Sequence, residues 1–173
     1  MSVYKELEKL VKKGYLLHGS RKKFDIILPN KRKKLHASVG RYKAVYATDN
    51  PLVAMFFASI FPNKLPLIMG KVKCLKGYDF DKNENPYFAL TPNIYKHHAF
   101  GEGYVYVANK QLFKSLKKIP HEYYSMKPVR PNFVFQIDPN EFIEMANHQM
   151  YPKSAVIEAN FHTDEEIRAM GYD

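Results

Sequence analysis

The feature that most limits the fold of this chain is a succession of short apolar runs, each closed by glycine, proline or asparagine. Such runs are typical of buried strands, whereas a helix needs a sustained apolar period of 3.6 residues. That period occurs in residues 3–13 and again after Pro51, where Asn50 is the expected N-cap. The order of helix, strand, strand, helix and then mostly strands predicts an α+β fold with prominent antiparallel pairing.

Alternating apolar residues and turn residues predict the remaining elements. We expect strands at 14–20, 43–47, 65–78, 103–107, 121–126 and 132–137, a short helix at 111–118 and a long irregular excursion at 81–103. Thr163 and Glu166 match a capping box, which predicts a terminal helix. The chain has 173 residues without a repeat or a break in composition, so we expect a single domain.

Basic side chains are concentrated in the first part of the chain. Residues 1–80 carry 17 Lys and Arg against 5 Asp and Glu, whereas residues 81–173 carry 10 against 12. A basic half of this kind suggests an anionic partner such as a nucleotide or a nucleic acid. A lysine-rich surface that only aids solubility gives the same pattern, so both interpretations stay open.

Cysteine, hydropathy and histidine spacing exclude several classes of protein. Cys74 is the only cysteine, so no internal disulfide can form and a reducing, cytoplasmic setting is expected. No apolar run approaches the ~20 residues of a membrane-spanning helix, and no membrane partner is expected. The histidines are scattered, and the adjacent His97 and His98 would point to opposite faces of a strand, so we expect no metal.

The strongest local signal is a pair of strand ends, LLHGS at 16–20 and VYAT at 45–48. A histidine in an apolar strand must satisfy its ring nitrogens, and a following glycine lets a ligand approach the backbone closely. Taken alone, His18 is equally compatible with a core histidine, and Tyr46 is an ordinary strand residue. Their order and context make them candidates for a binding site.

These segments resemble the ADP-ribosyltransferase fold, in the His-Tyr-Glu branch that includes the poly(ADP-ribose) polymerase catalytic domain and diphtheria toxin. LLHGSR at 16–21 is similar to the first motif of the family, and VYA at 45–47 to the second. LIMGKV at 67–72 with Gly77 and Tyr78 resembles the strand behind the site, and EYYS at 122–125 with VRPNFVF at 129–135 resembles the last two strands. The resemblance implies split antiparallel β-sheets with flanking helices, a core at about 14–137 and a C-terminal extension at 138–173.

The resemblance also implies a role for each matching residue in binding NAD. His18 would hydrogen-bond a ribose, the backbone of Gly19 would clasp the nicotinamide amide, and Ser20 would add a hydroxyl. Tyr46 would stack on the nicotinamide ring, and Phe57 would supply a second aromatic side chain.

The basic segment between the two strand ends would border the NAD cleft. The resemblance places Arg21, with Lys22 or Lys23, near the pyrophosphate. Residues 31–34 could instead hold a nucleic acid through its phosphates or form a solvated loop. Ala54 stands where many polymerases of the family have a serine that bonds the nicotinamide amide.

Glu122 is the expected catalytic carboxylate. Cleavage of the nicotinamide–ribose bond leaves an oxocarbenium-like ribose, and a facing carboxylate stabilises that developing cation. Glu102 is the alternative, but it lies between two glycines, a pattern typical of a turn. If Glu122 were only an exposed strand-edge carboxylate, the fold could bind NAD without catalysis.

The resemblance therefore implies a toxin-like, NAD-dependent mono-ADP-ribosyltransferase with His18, Tyr46 and Glu122 as its catalytic residues. Its acceptor would be a protein or a nucleic acid. Two alternatives stay open: an inactive module that binds NAD or nucleic acid, and an enzyme similar to RNA 2′-phosphotransferases. The second motif of that phosphotransferase family differs from Tyr46, which argues against the last alternative.

Overall fold

The computed structural model of the protein describes residues 2–31, 43–117, 119–158 and 163–173. Helices alternate with mostly antiparallel strands, which confirms the predicted α+β class. In these four ranges, no helix combines the length and the apolar character needed to cross a membrane.

The described elements follow one another in this order: α1 (Val3–Lys12), β1 (Tyr15–Ser20), β2 (Asn30–Lys31), β3 (Lys43–Thr48), α2 (Pro51–Ser59), β4 (Leu67–Ile68), β5 (Lys71–Val72), β6 (Lys76–Phe80), β7 (Pro86–Leu90), α3 (Pro92–Lys96), β8 (Gly103–Asn109), β9 (Lys114–Ser115), β10 (Glu122–Ser125), β11 (Phe133–Ile137), α4 (Pro139–Met145), β12 (Asn147–Met150), α5 (Lys153–Glu158) and α6 (Asp164–Ala169). Short 3-10 turns occupy Pro62–Lys64 and Lys110–Leu112.

The largest sheet places β3 between β1 and β10, in the strand order β11-β8-β1-β3-β10-β9, with β2 also paired to β3. β1 pairs with β8 along its whole length, up to Ser20 opposite Tyr104. On its other side, the described ladder between β1 and β3 holds one pair, Leu17 and Thr48. The two strands therefore diverge beyond this pair and leave a gap in the sheet.

The predicted strand at 65–78 is wrong, because the chain reverses within it. Met69 has a φ of 49° and Gly70 a φ of 73°, and these left-handed residues form the turn of a hairpin between β4 and β5. A separate strand, β6, then pairs with β7 in a second sheet, where β12 runs parallel to β7. The predicted irregular excursion at 81–103 is also wrong, since it contains β7 and α3.

The predicted helix at 111–118 is wrong too. The Asn109 side chain accepts a hydrogen bond from the Gln111 backbone at 2.9 Å and supports only a short turn. The chain then forms β9, because Ser115 and Lys114 pair with Tyr123 and Tyr124 of β10. Pairing with a distant strand thus overrides the local helical pattern.

Several predicted elements are confirmed to within a few residues, among them α1, β1, β3, α2, β8, β10, β11 and α6. Asn50 caps α2 as expected, since its Oδ1 accepts from the Val53 backbone at 3.2 Å. Thr163 and Glu166 form both hydrogen bonds of the predicted capping box.

Helix α2 rests directly on the backbone of the largest sheet. A Cβ added at Gly19 would lie 1.9 Å from the Ala54 carbonyl oxygen, and one added at Gly103 would lie 2.0 Å from that of Ala58. Because Ala54 and Ala58 are one helical turn apart, the two glycines on β1 and β8 set the height of the helix. This close approach brings Phe57 beside Gly19, at the edge of the gap between β1 and β3.

Candidate functional site

A pocket of about 490 Å³ opens at the gap between β1 and β3. Both strands, residues 24–30, helix α2, β6 and β10 contribute to its lining. Its volume is in the range of ~300–1,000 Å³ typical of small-molecule and cofactor sites. The expected site residues found in the lining are His18, Gly19, Ser20, Tyr46, Phe57 and Glu122.

The His18 side chain bridges the gap between the two strands. Its Nδ1 lies 2.7 Å from the backbone carbonyl oxygen of Tyr46. Because a carbonyl oxygen only accepts hydrogen bonds, Nδ1 is the donor in this contact. The hydrogen bond therefore holds the His18 ring in one orientation at the pocket.

Glu122 is the carboxylate of the pocket. It begins β10 opposite Thr48 of β3 and is only 5% exposed. The Tyr78 hydroxyl donates to Oε1 of Glu122 at 2.5 Å, a short charge-assisted bond that orients the carboxylate. Glu122 thus joins the residues of β1 and β3 at one pocket.

Tyr78 is a site residue whose contact with Glu122 the sequence analysis missed. The resemblance placed it only on a strand behind the site, and nothing in the local pattern of β6 indicates which carboxylate it reaches. Its ring also meets the Phe57 ring edge-on, with centroids 5.9 Å apart and an interplanar angle of 89°. With Tyr46 from β3, these rings give the pocket an aromatic lining.

Residues 24–30 form a wall of the pocket that the sequence analysis also missed. The buried Tyr106 holds the start of this segment, because its hydroxyl accepts from the Phe24 backbone at 2.7 Å and donates to the Lys22 carbonyl at 2.8 Å. Burial raises the pKa of Tyr106, so the hydroxyl keeps its proton. Two backbone hydrogen bonds of 2.9 Å between Ile27 and Val129 hold its middle, and Asn30 at its other end pairs with Ala44 of β3. The wall is therefore held along its whole length.

Arg21 lies outside the pocket lining. It is exposed, and its Nη1 is 3.5 Å from Oδ1 of Asn63. The Ser20 hydroxyl, which does line the pocket, accepts from the Lys22 backbone at 3.2 Å. Arg21 also lies close enough to Lys76 to affect it, since desolvation lowers the pKa of Lys76 and the Arg21 charge lowers it further.

Glu102, the alternative carboxylate, is not among the residues that line the pocket. It is exposed and accepts a hydrogen bond from Nε2 of Gln136 at 2.7 Å. In the basic run at 31–34, Lys31 belongs to β2, while residues 32–34 lie outside the described ranges.

Cys74, His97 and His98 lie outside the pocket lining. Burial is the main cause that raises the pKa of the Cys74 thiol, which disfavours the nucleophilic thiolate. His97 and His98 follow α3 in an exposed turn rather than lying on a strand. Across the four described ranges, no three His, Cys, Asp or Glu side chains are grouped so that they could hold a metal ion.

No family model, curated protein or solved structure matches this chain.

Proposed function

We propose that this protein is an NAD-dependent mono-ADP-ribosyltransferase of the His-Tyr-Glu type. The observation that carries the proposal is that His18, Tyr46 and Glu122, which come from three adjacent strands, line one pocket. The pocket combines a histidine ring held by a backbone carbonyl, flat aromatic surfaces and a buried carboxylate, which match a ribose hydroxyl, a nicotinamide ring and a developing ribosyl cation respectively.

In the proposed complex, the nicotinamide ring stacks on Tyr46, and Phe57 supplies the second aromatic side chain. The backbone of Gly19, at the gap between β1 and β3, bonds the carboxamide. The His18 ring, which the Tyr46 carbonyl holds in place, hydrogen-bonds a ribose hydroxyl. The methyl side chain of Ala54 adds no hydrogen bond to the carboxamide. The backbone carbonyl of Ala54 instead packs against Gly19.

Glu122 acts on the bond between the ribose C1′ and the nicotinamide nitrogen. As that bond breaks, its electron pair leaves with nicotinamide, and positive charge develops on the ribose. The Glu122 carboxylate stabilises this charge more in the transition state than in the ground state. Its low exposure strengthens the effect, because water screens the interaction less in a buried site. Tyr78 holds the carboxylate in place for this step.

The acceptor that the charge distribution favours is a nucleic acid, because residues 1–80 carry 17 basic and 5 acidic side chains. A cytoplasmic setting belongs to the same proposal, since the single Cys74 requires no oxidising compartment.

Release of nicotinamide from labelled NAD tests the proposal. We expect Glu122→Gln to lower the release rate by at least ~10²-fold, the usual cost of removing an electrostatic stabiliser. Glu102→Gln is the matched control, because Glu102 is an exposed glutamate outside the pocket lining, and it should keep the wild-type rate. No release by the wild type, or equal rates for Glu122→Gln and the wild type, would overturn the proposal. NAD binding without release would instead indicate an inactive binding module.

A further inference from the structure

Two basic side chains, those of Arg21 and Lys76, stand next to residues that line the pocket. Arg21 directly follows Ser20, the last residue of β1. Nζ of Lys76 lies 6.0 Å from the centroid of the Phe57 ring, and Lys76 shares a face of β6 with Tyr78. Ser20, Phe57 and Tyr78 all belong to the lining. The two basic side chains therefore lie at the edge of the pocket, although neither belongs to its lining.

Neither of these positive charges is neutralised by an acidic side chain of the described ranges. Nη1 of Arg21 is 3.5 Å from the amide oxygen of Asn63, and the ammonium of Lys76 lies over the rings of Phe56 and Phe57. The ion pairs among the described residues involve other cations. Desolvation lowers the pKa of Lys76 and the Arg21 charge lowers it further, so the two cations are near enough to repel each other. An anion that contacts both would relieve this repulsion.

The chemistry of this pair fits a phosphate group. The planar guanidinium of an arginine offers parallel N–H donors to two phosphate oxygens, and a lysine ammonium adds a compact charge. Arg21 and Lys76 are both exposed, and so are Lys22 and Lys23, which continue the positive charge along the chain. An extended polyanion can therefore reach the pair from solvent. The backbone of a nucleic acid is such a polyanion, and its phosphates supply most of the affinity in sequence-independent binding.

From this arrangement, and resting on the function proposed above, we propose that Arg21 and Lys76 bind a backbone phosphate of the nucleic-acid acceptor. A phosphate contact positions a nucleic acid without reading its sequence. Held at the edge of the pocket, the strand presents a neighbouring nucleotide to the ribosyl group beside Glu122. The pair itself takes no part in bond cleavage. Because NAD also carries phosphates, the experiment separates its pyrophosphate from the acceptor.

Fluorescence anisotropy of labelled oligonucleotides tests the site. The full-length protein is titrated, without NAD, into fluorescein-labelled single-stranded DNA and RNA of one sequence at several salt concentrations. The informative variant combines Arg21→Gln with Lys76→Gln. The matched control combines Lys82→Gln with Lys96→Gln, which removes the same charge from two exposed positions outside the pocket lining. Nicotinamide release by the same proteins, without oligonucleotide, gives the KM for NAD.

We expect the variant that lacks Arg21 and Lys76 to bind both oligonucleotides at least ~10-fold more weakly, because it loses charge-assisted hydrogen bonds to a phosphate. The slope of log K against log salt concentration should become less steep by ~0.7, the contribution of one phosphate in a single strand. The control that lacks Lys82 and Lys96 should keep the wild-type affinity and slope, because the phosphate contact and not the net charge is responsible.

Equal affinity of the two double variants, or no binding of either oligonucleotide by the wild type, would overturn the proposal. A higher KM for NAD in the variant that lacks Arg21 and Lys76, with unchanged oligonucleotide affinity, would also overturn it and assign the pair to the NAD pyrophosphate. If the wild type released no nicotinamide, the function proposed above would be wrong, whereas weaker oligonucleotide binding by the same variant would still support the phosphate site.

Discussion

The contact between β1 and α2 makes Gly19→Ala a quantitative test of how the site is built. The added Cβ would lie 1.9 Å from the Ala54 carbonyl oxygen and 3.0 Å from Cβ of Phe57, whereas ordinary contacts begin at 3.4 Å. The helix must retreat by more than an ångström, yet it carries buried core residues such as Met55 and Phe56. Overpacking of a core costs ~1–3 kcal/mol, and this overlap belongs at the upper end.

We therefore expect Gly19→Ala to lower the free energy of unfolding by about 3 kcal/mol, which corresponds to a fall in Tm of ~6–12 °C for a chain of this size. Gly77→Ala is the matched control on β6, because its Cβ would meet Tyr151 at an ordinary 3.7 Å. Alanine at such an open strand position should be neutral or slightly stabilising. Chemical denaturation of both variants measures the difference. Equal stability of the two would refute direct packing of α2 on the β1 backbone.

Two further predictions concern Tyr78 and His148. Tyr78→Phe keeps the ring contact with Phe57 but removes the hydroxyl that donates to Glu122. The rate of nicotinamide release should therefore fall ~10-fold, which corresponds to about 1.4 kcal/mol in the activation barrier. An unchanged rate in the folded variant would show that Glu122 needs no such partner. Burial lowers the pKa of His148, whose ring packs against Phe142 at 5.1 Å, and the backbone at 142 and 143 opposes this shift only in part. Since the unfolded chain then binds more protons, stability should decrease as the pH falls below ~6.5, by at most ~1.4 kcal/mol per pH unit. His148→Leu should flatten that slope in urea titrations from pH 7.5 to 5, and an unaltered slope would contradict the assignment.

The sequence predicted those parts of the fold that depend on local patterns. The Asn50 cap, the capping box at Thr163 and the strands around His18 and Tyr46 need only neighbouring residues, and all are present. The prediction of one strand at 65–78 was wrong because Met69 adopts a positive φ, which is uncommon for a residue other than glycine. The prediction of a helix at 111–118 was wrong because residues 114–115 form a strand through their pairing with β10.

Site residues that belong to a sequence motif could be predicted, whereas those that join the site through a contact between distant segments could not. The motifs predict His18, Tyr46 and Glu122 as site residues, and all three line the pocket. Tyr78 and Glu122 belong to different sheets and are 44 residues apart in the sequence, so no local pattern indicates their hydrogen bond. The wall at 24–30 was equally hard to predict, because the Tyr106 hydroxyl that holds it bonds Phe24 and Lys22, which lie 82 and 84 residues earlier in the chain.

A crystal structure of Glu122→Gln soaked with NAD tests most directly whether this pocket holds the dinucleotide. We expect the nicotinamide ring on Tyr46, its carboxamide on the backbone of Gly19 and a ribose hydroxyl on the His18 ring, with residue 122 beside the C1′–nitrogen bond. NAD bound elsewhere on the protein, with His18 and Tyr46 out of contact, would contradict the account.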